Sequence, residues 1–335
     1  MAKLVQFDRL GGPEVLTLRD VEVGAPGAGE VRIRVDAIGL NRAEIMFREG
    51  SYFDEPRFPS TLGYEAAGVV EAVGEGVDGL AEGDPVAVVP AFLQSEYGTY
   101  GDHVVVPASA VVPRAADVEP VRAAAVWMAY ITAYGPLAES GRVRPGDHVL
   151  ITAASSSVGL AALQIARHVG AVPIATTRGA GKKQRLLDAG AAHVIVTDDE
   201  DLPARIKEIT DGEGVRLAFD PIAGPGVETL ARGIAPGGFL VVYGALDQRL
   251  TPLPNAQSYP ALNSSTYTLF EITSDPERLR RAVAFVDAGL ASGSFTPVVD
   301  RTFDLADIAE AHRYMAANGQ VGKIVVTVTH DDATA

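Results

Sequence analysis

The stretch TAASSSVGL, Thr152–Leu160, sets three consecutive hydroxyls and one glycine, Gly159, between an apolar run and a helical-looking one. Serine is a strong helix N-cap. A helix start presents free N–H groups and the positive end of the helix dipole to an anion. Ser156, Ser157, Val158 and Gly159 are therefore candidates for a phosphate cradle. In a G-x-G-x-x-G loop the first glycine permits a tight turn, the second admits the pyrophosphate, and the third lets helix pack on strand. Aligned on Gly159, this chain reads Ala154-x-Ser156-x-x-Gly159, so only the packing glycine is kept. Taken alone, the loop fits a cofactor cradle or a plain helix cap. Its place between the first strand and first helix of an alternating series favours the cradle.

A second constellation follows about 20 residues on, at the end of the next strand. The run ATTRGAGKKQ brings Thr176, Thr177, Arg178, Lys182 and Lys183 together, with no acid before Asp188. An acid there would hold a ribose 2′-hydroxyl and repel a 2′-phosphate. Hydroxyls with an Arg/Lys cluster would hold the phosphate. In a chain of net charge −15 this local basic cluster points to NADPH, the alternative being a solvated helix start. Two later strands end in FDPIAGPG and VVYGALDQ. Ligands of parallel sheets bind beyond the carboxyl ends of the strands, which places Tyr243, Gly244 and Ala245 near a nicotinamide. Asp220 reads equally as a site residue or a local cap.

The elements that must position these residues are legible as periodicities. The first third alternates as strands, as in EVRIRVDAIG, and LNRAEIMFREG begins a helix with Asn41 as N-cap and Glu44 as its capping partner. EPVRAAAVWMAYITAYGPLAES reads as one long apolar helix. From HVLIT to GFLVVYG, strands and helices then alternate through Val242, which predicts a parallel, doubly wound α/β sheet covered on both faces. YTLFEIT reads as a further apolar strand near the end of that sheet. A β-rich segment before and an α+β segment after imply that the sheet domain is inserted into a second domain.

The 335 residues allow about two domains, and 47% hydrophobic content allows a sizeable core. The acidic net charge argues against non-specific nucleic-acid binding. With no cysteine, disulfides and thiolate metal sites are excluded, and the six histidines show no ligand spacing. The start lacks an apolar h-region and no run reaches the ~18 residues of a membrane span, so a soluble cytoplasmic protein is expected.

With LNRAEIMFREGSY, LGYEAAGVVEAVGEGV, AYITAYGPL, GLAALQIAR and VGKIVV in this order, the chain resembles the medium-chain dehydrogenase/reductase superfamily over nearly its whole length. Within it, the chain looks most like the zinc-free quinone oxidoreductases. The resemblance implies a GroES-like catalytic domain from residues 1–122 and 263–335, a Rossmann domain at 123–262, a cleft active site and NADPH. It implies that Asn41 and Tyr52 face substrate or nicotinamide and that Thr132 lies beside the nicotinamide. It also implies that Arg178 and Lys182 hold the 2′-phosphate. Zinc-using relatives carry a catalytic Cys where Asn41-Arg42 stand, a His-Glu pair where Tyr64-Glu65 stand, and a four-cysteine lobe near AFLQSEYGTYGD; none of these is present. Met46 and Thr197 stand where some relatives have tyrosine, and Ser156 and Ser157 where the family has glycines.

The expected reaction is hydride transfer to a quinone or related conjugated carbonyl, the developing oxyanion being met by Asn41, Tyr52 or backbone N–H, with water as proton source. An enone C=C reductase and a nucleotide-binding protein without turnover are the alternatives. A homodimer through the Rossmann domains is expected.

Overall fold

The computed structural model describes residues 1–255, 259 and 261–330. The chain divides into two compact units, Met1–Met128 with Pro297–Ala335, and Ala129–Thr296.

The first unit opens with a two-stranded antiparallel ribbon, β1 (Ala2–Gln6) on β2 (Thr17–Val21). Strand β3 (Glu30–Gly39) is its spine, with Val31, Ile33, Val35 and Ala37 alternating inward as the sequence pattern predicts. Helix α1 (Arg42–Glu49) follows, then β4 (Glu65–Val73), β5 (Pro85–Val88), β6 (His103–Pro107) and β7 (Val111–Pro113), and a short helix α2 (Pro120–Ala123). β3 pairs antiparallel with both β4 and β6, and β4 continues through β5 to β7.

The expected long helix at 119–140 is broken. After α2 comes a turn, then α3 (Trp127–Tyr134), then a wider π-helical stretch, Gly135–Glu139. The chain passes from the first unit to the second within α3.

The second unit holds β8 (His148–Ile151), α4 (Ser157–His168), β9 (Val172–Thr177), α5 (Lys183–Asp188), β10 (His193–Val196), α6 (Leu202–Ile209), β11 (Val215–Asp220), α7 (Val227–Ala231) and β12 (Ile234–Val242). A further strand, β13 (Asn263–Thr266), completes a six-stranded parallel sheet in the order β10-β9-β8-β11-β12-β13. The order reverses at β8, the topological switch point of a doubly wound sheet. The core on one face gathers Leu150, Ile174, Ile195, Ile206, Ala218 and Leu240, all fully or almost fully buried.

Two expectations are corrected here. YTLFEIT is not a strand: its last four residues form the short helix α8 (Phe270–Thr273), and the strand lies just upstream in polar NSST. Tyr267 and Leu269 bury their apolar side chains without extended backbone. The return crossing falls at 296/297, not 262/263. The reason is that β13 hydrogen-bonds β12, and α9 (Pro276–Ala291) is tied to the π-helical stretch by Arg278 on Glu139. The chain then rejoins the first unit through β14 (Val299–Asp304), α10 (Ile308–Ala316) and β15 (Lys323–Thr327), which extends the sheet beside β3. No helix among the described residues is long and apolar enough to cross a membrane.

Candidate active site

In the second unit the loops after β8, β9, β11 and β12 all leave the same end of the sheet, because these four parallel strands are neighbours. The loop after β8 turns through Ala153, whose φ of 44° is left-handed, a conformation held by surrounding contacts. Ser156 then caps α4: its hydroxyl accepts the Gly159 N–H at 3.0 Å. A Cβ on Gly159 would stand 2.6 Å from the Ala154 Cα and carbonyl oxygen. The last glycine of the loop is thus needed for helix-to-strand packing. The two positions that are serine here, 156 and 157, need no positive φ.

Two further loops converge on this one. Lys182 donates from Nζ to the Ser155 hydroxyl at 3.3 Å, bringing the basic cluster after β9 to the loop that opens α4. Thr177 is buried, with its hydroxyl on the Gly179 carbonyl at 3.3 Å, and Arg178 is exposed. Thr197, at the end of β10, donates to the Thr177 carbonyl. After β12, Tyr243 stacks on Phe219 with ring centroids 4.0 Å apart. Its hydroxyl is buried beside the Ser156 side chain. Burial, and then the Asp220 carboxylate, hold this phenol well above its ordinary value, while the nearby Ser156 side chain acts the other way. Gly244 packs against the Pro221 carbonyl, and Ala245 is exposed. A buried tyrosine hydroxyl beside a helix N-terminus, with Lys182 reaching the same loop, fits an anionic dinucleotide.

Asp220 is a local clip. It accepts from the Thr152 hydroxyl and from the Ala223 N–H at 2.7 Å, tying the ends of β8 and β11. Thr132 is buried on α3 in this same unit.

The first unit carries a buried charged cluster that sequence reasoning missed. Lys323, 1% exposed, donates to the Asn41 amide oxygen at 2.6 Å and to Glu65 at 2.5 Å, with Glu65 fully buried. The other Glu65 oxygen accepts the Trp127 N–H and, at 3.3 Å, the Met128 N–H, so it caps the start of α3. Asn41 caps α1, and its backbone N–H donates to the Glu44 carboxylate as the capping pattern predicts. Its amide nitrogen donates to the Gly39 carbonyl at 3.0 Å and to Glu44 at 3.1 Å. Both amide hydrogens are therefore used inside the unit, and Asn41 has no N–H left for an acceptor's oxygen. Burial pushes Glu44 up to about 8, opposed by the Lys323 cation and the Asn41 donors, and burial likewise raises Glu65. The signal that could have revealed the pair is a charge inside an apolar run, Lys323 in VGKIVV and Glu65 in YEAAGVV.

Tyr52, half-buried, follows α1. It lies against Phe53 at 4.4 Å between centroids, and its hydroxyl is 3.4 Å from that of Tyr64. Among the described residues no group of three or more His, Asp or Glu side chains is placed to hold a metal ion.

Two family models match the two halves of this arrangement. The alcohol dehydrogenase GroES-like domain covers residues 27–116, and the zinc-binding dehydrogenase model covers 157–288. The quinone oxidoreductase of Pseudomonas aeruginosa is 34% identical over 97% of this chain and 99% of its own. The chain belongs to the medium-chain dehydrogenase/reductase family. A 2-haloacrylate reductase of a Burkholderia species is 30% identical over 97% of the chain and 99% of its own. The crystal structure of Escherichia coli quinone oxidoreductase complexed with NADPH superposes with a TM-score of 0.91 at 30% identity, covering 97% of this chain and 100% of that one. The chain also matches a polyketide synthase subunit of Mycobacterium tuberculosis, of whose length it spans 15%.

Proposed function

We propose that this protein is an NADPH-dependent reductase of quinones or related conjugated carbonyls that works without zinc. The observation that carries the reading is the Lys182–Ser155 contact at 3.3 Å, which joins a basic, acid-free strand end to a helix N-terminal cradle. The family relationship and the NADPH-bound relative support it.

The α4 N-terminus, with Ser156, Ser157, Val158 and Gly159, would hold the pyrophosphate through backbone N–H groups and hydroxyls. Thr177, Arg178 and Lys182 would hold the 2′-phosphate. Tyr243, Gly244, Ala245 and Thr132 would border the nicotinamide. NADPH, when bound, supplies the hydride. The acceptor gains that hydride and a proton from water, and leaves as the hydroquinone. While its carbonyl oxygen gains negative charge, a hydrogen-bond donor must meet it. With the Asn41 hydrogens committed internally, Tyr52 is the donor we assign, and Asn41 becomes a positioning residue. Burial raises the Tyr52 phenol far enough to stay protonated at any working pH.

The 2-haloacrylate reductase relative favours a second reading, reduction of an activated C=C bond on the same residues. A panel of quinones and enones with NADPH separates the two. We expect quinones to have the higher kcat/KM; enones ahead across the panel would select the second reading, and no oxidation of NADPH with either would reject both.

We further propose a homodimer. Among the described residues β13 is an edge strand with one side of its ladder open, and a second copy could continue the sheet across a two-fold axis.

A further inference from the structure

Glycine 63 has a φ of +108°, and a Cβ on it would strike Tyr100 at 2.4 Å. Its N–H donates to the buried Gln94 side chain at 2.8 Å. The turn so fixed delivers Tyr64 to the start of β4, where its side chain is wholly buried. The ring packs on Phe92 at 5.8 Å between centroids, and Phe92 packs on Tyr97 at the same spacing. A phenylalanine would serve this packing equally. The hydroxyl is what packing leaves unexplained. It donates to the Tyr52 oxygen at 3.4 Å, with the two rings edge to face at 6.4 Å.

The direction of that hydrogen bond matters. A phenol has one hydrogen to donate. Once the Tyr52 oxygen accepts from Tyr64, the Tyr52 hydrogen has to point elsewhere, and no other partner takes it among the described residues. Tyr52 is half-buried and its neighbour Phe53 is 61% exposed, so this side of the pair opens outward beside a flat aromatic face. A planar conjugated carbonyl fits such a face by stacking, with its oxygen at the phenol. Burial, with the nearby Glu44 and Asp54 side chains adding to it, disfavours a phenolate here, which keeps Tyr52 a donor.

We propose that Tyr64 is a positioning residue for the acceptor: it fixes the hydrogen-bond polarity of Tyr52 so that the Tyr52 hydroxyl donates to the carbonyl oxygen of a planar quinone. This rests on the reading in which Tyr52 faces the acceptor. It makes Tyr64, buried beyond a ligand's reach, a contributor to the reaction through its neighbour. Losing one neutral hydrogen bond of this kind should lower kcat about three- to tenfold.

The test uses the full chain and tetramethyl-1,4-benzoquinone as probe. Tyr64→Phe keeps the ring and its contact with Phe92, so it is expected to fold with a Tm near that of the parent. Its kcat should fall three- to tenfold, with the Kd for NADPH unchanged. In a Tyr52→Phe background the same substitution should have no effect. Independently of turnover, the infrared carbonyl stretch of the quinone bound without NADPH should be lowered in the parent protein and move back toward the free value in Tyr64→Phe. Should the phenylalanine variant fail to fold, Tyr64→Gln, which keeps a donor in a smaller side chain, is read by the same band; a band lowered as in the parent supports the proposal and a free-like band overturns it. Parent turnover with unchanged kcat and an unchanged carbonyl band in Tyr64→Phe overturns the proposal alone. A parent protein that neither oxidises NADPH with the quinone nor binds it overturns the acceptor reading and this proposal together.

Discussion

Lys323 joins two other buried polar side chains of the first unit. It meets Asn41 and Glu65 at once, and Glu65 in turn caps α3. Replacing one partner of a buried ion pair leaves the other charged, buried and uncompensated, which costs about 3–5 kcal/mol. Lys323→Met should lose that much in a urea titration. The double variant Lys323→Met/Glu65→Gln should be less damaged than Lys323→Met alone, since no charge is then stranded. Equal losses would mean that packing, not charge, is what the lysine supplies. The proposed cofactor loop should behave differently, because its attraction for an anion would come from the helix end more than from any one side chain. Ser156→Gly with Ser157→Gly should leave NADPH binding within about tenfold, exchanging hydroxyl donors for closer backbone contact, a difference on the order of 1 kcal/mol. Gly159→Val should weaken binding far more, since even a Cβ there meets the Ala154 backbone at 2.6 Å. A folded Gly159→Val that binds NADPH normally would reduce the loop to a helix cap. Ser156 could be read from the sequence because capping is local. The Lys323–Glu65 pair could not, since its partners are 258 positions apart and no short-range pattern links them.

At the scale of elements, α10 packs a histidine into the first unit's core. His312 is fully buried, its Nε2 paired with the Tyr100 hydroxyl at 3.1 Å and its Nδ1 without a partner among the described residues. Burial, and then the Arg48 and Arg42 charges, hold it down to about 3. The unfolded chain therefore takes up this proton near pH 6.5 while the folded one does not until near pH 3. Stability from this group is complete above pH 6.5 and drains away as pH falls toward 3, at about 1.4 kcal/mol per pH unit. His312→Gln should lack that component, so the stability gap between variant and parent should shift by this amount per unit across the window. A constant gap from pH 6.5 to 4.5 would show that the imidazole protonates freely in place. The elements that could be read from sequence are those with a strong period. The βα alternation from β8 to β12 is one, and the inward alternation of β3 is another. Tyr267–Thr273 misleads because apolar content alone does not distinguish a strand from buried irregular chain and one helical turn. The real edge strand, NSST, is polar and carries no apolar signal. The π-helical stretch at Gly135–Glu139 begins at the breaker dipeptide Gly135-Pro136, a signal masked by the apolar run around it, and Gly135 lies close under the Tyr267 ring.

At the scale of the whole molecule, the open edge of β13 predicts assembly. Light scattering at micromolar concentration should give twice the 35.0 kDa mass of the chain, and a monomer would remove the edge-pairing proposal. The chain has no cysteine, no group among its described residues is placed to hold a metal, and the proposed reaction uses no zinc. Turnover should therefore survive a chelator, and loss of activity restored by added zinc would contradict it. The strand end after β9, read as the 2′-phosphate site, carries the prediction on cofactor choice. NADPH should bind more tightly than NADH by about 1.5–3 kcal/mol, one charge-assisted phosphate contact, and Arg178→Ala with Lys182→Ala should remove most of the difference. Both domains were legible because the family motifs run through the whole chain. The return crossing at 296/297 was not, because it is decided by β13 joining β12 across a stretch with no local pattern. The most direct test of the account mixes chelator-treated protein, loaded with one equivalent of NADPH, with tetramethyl-1,4-benzoquinone and follows the nicotinamide absorbance in a single turnover. Complete loss of that absorbance is expected, with one hydroquinone formed per NADPH, and no comparable loss when NADH is loaded at the same concentration. Persistence of the absorbance, or a turnover that appears only when zinc is returned, would contradict it.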